Sequence, residues 1–268
     1  MTLTLTLKSR PPFRLDMSGV VPHLMHGLSA RALAKLDLTT SRVPVPLGDW
    51  FRIVGTPGSD LVIYDACPQL DQVGAALQEG NIVIAGDVGL GAGAGMTGGH
   101  ITVHGNVGAY GCAMMQGGTM DIMGNAGDNL AGASIGSLDG MRGGALHVRG
   151  DAGAGAGDRM RGGMIVINGD AGPQAGRRLG GGTLMIGGKA GPEAGVLMRR
   201  GTLYLNEAEP LPLGFVDCGT PDLVFHKWLA HQLQPYGRGA VALARARLRR
   251  YQGDMADLGK GEIFLCAT

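Results

Sequence analysis

A 19-residue spacing governs the middle of this chain and restricts what it can fold into. Blocks open at Gly80, Gly99, Gly118, Gly144, Gly163, Gly182 and Gly201, at intervals of 19, 19, 26, 19, 19 and 19 residues. The third position of each block reads Ile82, Ile101, Met120, Leu146, Ile165, Leu184 and Leu203, and the fifth reads Ile84, Val103, Ile122, Val148, Ile167, Ile186 and Leu205. Polar or small residues such as Asn81, His100, Thr102, Thr119 and Asp121 flank those columns, so every block opens with a short alternating strand that has one buried face. Six blocks carry glycine at positions seven and ten, from Gly86 and Gly89 through Gly188 and Gly191, which reads as a corner. Position eight between them is Asp87, Asn106, Asn125, Asp151, Asp170 and Lys189; Asp and Asn tolerate left-handed backbone angles, so a turn is expected there.

One such block cannot bury its own apolar face, whereas stacked copies share a core and hydrogen-bond edge to edge. The expected fold is therefore mainly β: a right-handed parallel β-helix of about seven coils, rising about 4.8 Å per coil to roughly 30 Å, with small α/β caps at both ends. The seventeenth position, Met96, Met115, Met141, Met160, Leu179 and Met198, supplies flexible side chains to fill a narrow interior. Collagen needs glycine at every third residue and calcium-binding nonapeptide arrays need GGxGxD; both patterns are missing. The third block holds seven extra residues within Asp128 to Gly140, which a coil of fixed circumference takes only as an outward excursion.

Composition agrees. Of 268 residues 50 are glycine, where average usage gives about 19, and 37 of them lie between Gly80 and Gly201 beside a single aromatic, Tyr110. Net charge is +1, which removes the electrostatic case for nucleic acid. No apolar run is long enough for a membrane span and the start lacks a signal peptide, so a cytoplasmic protein is expected. Cys67, Cys112, Cys218 and Cys266 form no CxxC pair and read as buried free thiols rather than metal ligands.

Three parts follow: an N-terminal cap over 1–58, the Gly-rich β-helix over 59–209 and a C-terminal cap over 210–268. Thr2 to Lys8 alternates like a strand, Ser29 caps a short helix, and Asp60 to Gly80 has Leu61 and Ile63 at the spacing of a degenerate first coil. Phe225 to Leu233 reads as an amphipathic helix, followed by a basic stretch at Arg238, Arg245, Arg247, Arg249 and Arg250. His23 with His26, and His226 with His231, lack a third ligand and do not make a metal site. His100, His104 and His147 stand opposite the core, on a face open to a neighbouring protein. No set of residues assembles into a catalytic constellation. What recurs is arginine near the block ends: Arg142, Arg161, Arg177, Arg178, Arg199 and Arg200. Stacked like charges repel, so this column is either solvent-screened, matched by carboxylates, or a site for a polyanionic ligand or acidic partner.

The run GALHVRGDAG from Gly144 and its copy GMIVINGDAG from Gly163 resemble the β-helix of two families. One is the carboxy-terminal domain of the glutamate synthase large subunit; the other is the C-subunit of formylmethanofuran dehydrogenase. The Thr-Leu opening, LGDWFRIVG from Leu47 and RRYQGDMADLGKGEI from Arg249 are similar to the second. In that family, methanogen enzymes reduce carbon dioxide to a formyl group on methanofuran. The related formyltransferase/hydrolase complex of methylotrophic bacteria moves the formyl group from formyl-tetrahydromethanopterin to a methanofuran analogue and releases formate. The resemblance favours the bacterial complex and implies a non-catalytic scaffold. Catalysis would sit on an amidohydrolase-like subunit holding metal ions, a formyltransferase subunit and a molybdoenzyme-like subunit. No cofactor is expected on this chain itself. The carrier's glutamate-rich tail offers the six arginines a role as tail contacts. The C-subunit of a molybdenum or tungsten dehydrogenase and a free-standing glutamate-synthase-type domain stay open, while a polysaccharide-acting β-helix is disfavoured by the lack of stacking aromatics.

Overall fold

The computed structural model describes residues 2–38, 43–221 and 224–267. In chain order the strands are β1 (Thr2–Leu7), β2 (Leu15–Asp16), β3 (Phe51–Gly55), β4 (Asp60–Ala66), β5 (Leu70–Asp71), β6 (Asn81–Gly86), β7 (His100–Val103), β8 (Thr119–Ile122), β9 (Ala145–Val148), β10 (Met164–Ile167), β11 (Thr183–Ala190), β12 (Thr202–Ala208), β13 (Val216–Asp217), β14 (Leu248–Gly253) and β15 (Gly261–Cys266). The protein is mainly β. Thirteen strands form one sheet in the order β13-β14-β15-β12-β11-β10-β9-β8-β7-β6-β4-β1-β3, and β2 pairs with β5.

From β6 to β12 each strand lies parallel to the one before it at the same register, so Ile82, Ile101, Met120, Leu146, Ile165, Leu184 and Leu203 form one column. Both flanks continue it, with Leu3 beside Leu61 and Leu61 beside Ile82 at one end, and Ile263 beside Leu203 at the other. Every residue of this column is 0–1% exposed, as are the side chains at the seventeenth position. A second set of parallel bridges runs through Val88, Val107, Ala126, Ala152, Ala171 and Ala190, so each repeat stacks on the last at a second segment also. A third segment is built from alternating left-handed residues, as at Tyr110, Cys112 and Met114 with φ of 61°, 52° and 56°. It bonds across repeats too, for example from the Tyr110 N–H to the Asp128 carbonyl at 2.8 Å.

Two expectations about the corner are corrected. The Asp and Asn of position eight are not left-handed; their Oδ1 atoms accept the backbone N–H of the residue stacked on them. Asp87 accepts from Asn106 (2.7 Å), Asn106 from Asn125 (2.8 Å), Asn125 from Asp151 (2.8 Å), Asp151 from Asp170 (2.8 Å) and Asp170 from Lys189 (2.7 Å). The residue is selected by stacking, not by backbone angle. Position seven is glycine for the same reason: a Cβ on Gly105 would stand 2.4 Å from the Gly86 carbonyl oxygen. Left-handed glycine sits at every block opening, as at Gly163 with φ of 90°, and at position seven only in Gly86, with φ of 126°.

The excursion in the third block spans residues 133–139, and its ends meet where the Met141 N–H donates to the Ala131 carbonyl at 2.9 Å. Ile135 and Leu138 at its tip are 92% and 78% exposed. Near the N-terminus stand three short helices, α1 (Pro22–Met25), α2 (Ala30–Ala34) and α3 (Leu47–Trp50), with the Ser29 hydroxyl accepting from the Ala32 N–H at 3.2 Å. Near the C-terminus α4 (Val224–Gln232) and α5 (Arg238–Arg245) cover the outer face of β10–β12 and β15. A second core of Val166, Met185, Tyr204 and Phe264 packs there against Leu229, Ala230, Leu233, Ala240 and Leu243. The thiols divide: Cys67 and Cys112 are buried, with the Cys112 thiol pushed up to about 12 by burial, but Cys218 is exposed and Cys266 half-buried. Both lie C-terminal to the glycine-rich blocks. Among the described residues no helix is long and apolar enough to cross a membrane.

Candidate functional site

The repeat register decides where each arginine stands. Arg142, Arg161 and Arg199 share position eighteen, with Gly180 between the last two; Arg159 and Arg178 share position sixteen, and Arg177 and Arg200 belong to neighbouring columns. The six arginines are therefore not a single column. A hollow of about 260 Å³ gathers Arg161, Arg178 and Arg199, and adds Arg159, Leu138, Leu197 and Asp257. Arg161 lies across Gly180, where a Cβ would come within 2.7 Å of its Nη1. Glycine at that position lets one guanidinium reach into the next repeat.

Carboxylates from outside the repeat pattern hold most of these groups. Asp139, on the excursion, accepts from Arg161 Nε at 2.6 Å and from Arg142 Nη2 at 2.8 Å. Those two guanidinium groups, Arg161 first, hold its carboxyl below the usual carboxylate range. Asp257, from the segment between β14 and β15, accepts from Arg199 Nε at 2.9 Å. Asp158 is 6% exposed and accepts from Arg177 Nε and Nη2 at 3.0 and 3.1 Å, turning Arg177 away from the hollow and raising its guanidinium pKa. Arg159 donates from Nη1 to the Ser137 carbonyl at 2.9 Å and lies 3.9 Å from Asp158. Arg178 and Arg200 are exposed and make no ion pair among the described residues. The hollow thus presents four guanidinium groups around one lining carboxylate, a geometry able to hold carboxylates or phosphates through paired N–H donors. Arg142, Arg177 and Arg200 do not line it. The sequence missed Arg159 and all three counter-ions: Asp139 and Asp257 come from the excursion and the segment between β14 and β15, where no periodicity assigns a place, while Asp158 and Arg159 lie inside the repeat but meet their partners only through side-chain contact.

A second polar group lies on the outer strand face. His147 Nδ1 is 3.3 Å from Asp121 Oδ1, and its Nε2 is 3.0 Å from the Asn168 amide nitrogen. His100 contacts the Thr119 and Thr102 hydroxyls at 2.6 and 3.0 Å and stands 3.7 Å from Asp121. The hydrogen bond with His147 lowers the Asp121 pKa, against a smaller opposing effect of burial. An Asp–His pair acts as a general base only when the second ring nitrogen meets a substrate. Here Asn168 occupies that nitrogen, Tyr236 stacks edge-on at 5.4 Å, and His147 is 5% exposed. His147 is therefore covered by this chain's own cap rather than offered outward; His104 is exposed. His226 is buried against Tyr204 and Phe264, and His231 is exposed. No three His, Cys, Asp or Glu side chains converge as metal ligands among the described residues.

No family model matches the chain. Individual relatives do. It is 54% identical over 264 residues to the C-subunit of the formyltransferase/hydrolase complex Fhc of Methylorubrum extorquens, covering 98% of this chain and 99% of that one. The chain belongs to the Fhc C-subunit family. The crystal structure of the FhcABCD complex from the same organism, in complex with methylofuran, contains a chain that superposes with a TM-score of 0.94 over 99% of this chain and 100% of that chain. Identity over that superposition is 43%. The C-subunit of molybdenum-containing formylmethanofuran dehydrogenase 1 of Methanothermobacter thermautotrophicus is 36% identical over 95 residues, or 35% of this chain and 24% of that one. Of the two polar groups, the arginine-lined hollow holds Arg161, Arg178 and Arg199 of the arginines that the sequence singles out.

Proposed function

We propose that this chain is a non-catalytic structural subunit of a formyltransferase/hydrolase assembly in tetrahydromethanopterin-linked one-carbon metabolism. The observation that carries the reading is identity with the Fhc C-subunit along practically the whole chain, caps included. The match to the dehydrogenase spans about a third of the chain and weighs less. The scaffold is a right-handed parallel β-helix over 59–209 with caps over 1–58 and 210–268. The stacked parallel strands and bridges support the winding, and parallel crossovers between twisted strands are right-handed in about 98% of cases. Its partners are the formyltransferase, amidohydrolase-like metal and molybdoenzyme-like subunits, and the protein is cytoplasmic.

Within that assembly Arg161, Arg178 and Arg199, with Arg159, contact the glutamate-rich tail of a methanofuran-type carrier. Arg200 adds nearby in sequence a charge with no ion pair among the described residues, while Arg142 and Arg177 do not line the hollow. Affinity purification of the tagged chain from its own cells, with mass spectrometry and a formyl-tetrahydromethanopterin hydrolysis assay, tests the assembly. Recovery of the other subunits with formate release is expected; a chain purified alone and inactive would overturn the reading. Replacing Arg161, Arg178 and Arg199 by Ala in that assembly tests the tail contact. Weaker carrier binding with a shallower salt dependence is expected, and unchanged binding would refute it.

A further inference from the structure

The C-terminal cap carries a second cationic surface, remote in sequence from the hollow. Between the start of α4 and the end of α5 lies a cavity of about 650 Å³, lined among others by Thr220, Lys227, Arg245, Arg247 and Leu248. The next two arginines are neutralised, Arg249 by Asp217 and Arg250 by Glu262. Lys227, Arg245 and Arg247 have no ion-pair partner among the described residues, and no carboxylate lines the cavity among them. Three like charges around one concave space repel one another and favour an anionic occupant.

The outward face of α4 adds a different chemistry. An amphipathic helix turns polar residues to water, yet Val224, Phe225 and Trp228 are 78%, 54% and 56% exposed, and the Phe225 and Trp228 rings touch at 5.3 Å between centroids. Val224 stands three residues before Lys227 and four before Trp228, so on the helix surface it neighbours both and joins the lysine at the cavity to the aromatic pair. Exposed aromatics beside arginine make the composition of a protein-binding hot spot. A free small anion would fill the cavity and leave Val224, Phe225 and Trp228 in water. A polypeptide bearing both carboxylates and apolar side chains covers the two together.

We propose that the α4–α5 face is the docking site for an acidic, apolar-anchored segment of another polypeptide, its carboxylates entering between Lys227, Arg245 and Arg247 while its apolar side chains cover Phe225 and Trp228. The inference rests on the reading of this chain as an assembled subunit.

The test uses the assembly purified through a tag on this chain. Failure of the wild-type chain to retain any other subunit overturns the assembly reading and this inference with it. Where the wild type retains them, Arg245→Glu with Arg247→Glu, and separately Phe225→Ser with Trp228→Ser, are expected to lower retention of one partner at least tenfold. Arg52→Glu on β3, at the far end of the sheet, retains it. Melting temperatures near that of the wild type establish that the variants fold; if they melt early, photocrosslinking decides. With p-benzoylphenylalanine in place of Phe225, the expected product joins this chain to an Asp- and Glu-rich segment of another subunit. Undiminished retention in both double variants, a crosslink only to a second copy or to lipid, or no crosslink, overturns the proposal.

Discussion

Asp158 shows how one carboxylate fixes the disposition of several cations. It is buried, accepts two hydrogen bonds from Arg177 and lies beside Arg159, so replacing it strands two guanidinium groups in a partly desolvated place. Breaking a buried pair by removing one member costs about 3–5 kcal/mol. Asp158→Ala is expected to lose about 3 kcal/mol in urea unfolding, whereas Asp139→Ala, whose partners Arg142 and Arg161 are exposed, loses measurably less. A loss in Asp158→Ala no larger than in Asp139→Ala would refute this ranking. Asp121 gives a pH dependence of determined sign. Its folded pKa is depressed, chiefly by the His147 hydrogen bond, so its stabilisation is fully present above the unfolded carboxylate value of about 3.9 and is lost as pH falls through the folded value. The stability gap between wild type and Asp121→Asn should therefore shrink as pH falls below about 4. A gap that grows in acid would contradict the assignment.

At the level of the repeat, glycine separates into positions the backbone needs and positions a side chain merely crosses. Gly105→Ala drives a Cβ to 2.4 Å from a carbonyl oxygen of the previous repeat, which only a backbone shift relieves. Overpacking of this kind costs about 1–3 kcal/mol. Gly180→Ala meets only the end of Arg161, a flexible side chain, and should stay within about 0.5 kcal/mol. Thermal denaturation of the two variants decides, and equal shifts would reject the distinction. This contrast also marks what the sequence makes legible. Ile82, Ile101 and Met120 fall in register because one apolar column can be read by counting. Asp87 and Asn106 read as turn formers because composition reports what a residue tolerates alone. Their actual work is a hydrogen bond to the residue stacked on them, which exists only once two repeats are in contact. Asp139 and Asp257 are illegible for a related reason: they reach Arg161 and Arg199 from outside the 19-residue period.

For the whole molecule the question is how a stack of identical edges stops growing. At one end β1 continues the parallel register and β3 then runs antiparallel to it; at the other, β15 continues β12 and β14 and β13 follow antiparallel. At both ends the parallel stack is thus followed by an antiparallel strand, β3 at one and β14 at the other; β14 is followed in turn by the two-residue β13, which runs again in the direction of the repeats but is too short to offer a full edge. Short edge strands are a recognised protection against edge-to-edge association. Helices α4 and α5 have a task of their own, because they cover Val166, Met185, Tyr204 and Phe264, which would otherwise form a continuous apolar patch on the outer face. Removing residues 210–268 should therefore uncover two surfaces at once: the full parallel edge of β12, and Val166, Met185 and Tyr204 beside it. The expected product is a truncated chain that associates through that edge, eluting on size-exclusion chromatography as dimers or larger species at concentrations where the full chain does not. Deleting residues 133–139 is the matched comparison, since Ala131 and Met141 are already hydrogen-bonded across the base of the excursion and the deletion restores the 19-residue period. That variant should elute like the full chain. A monomeric truncation would mean that the repeat edge needs no cap, and that the reversed strands serve the partner-facing surface alone.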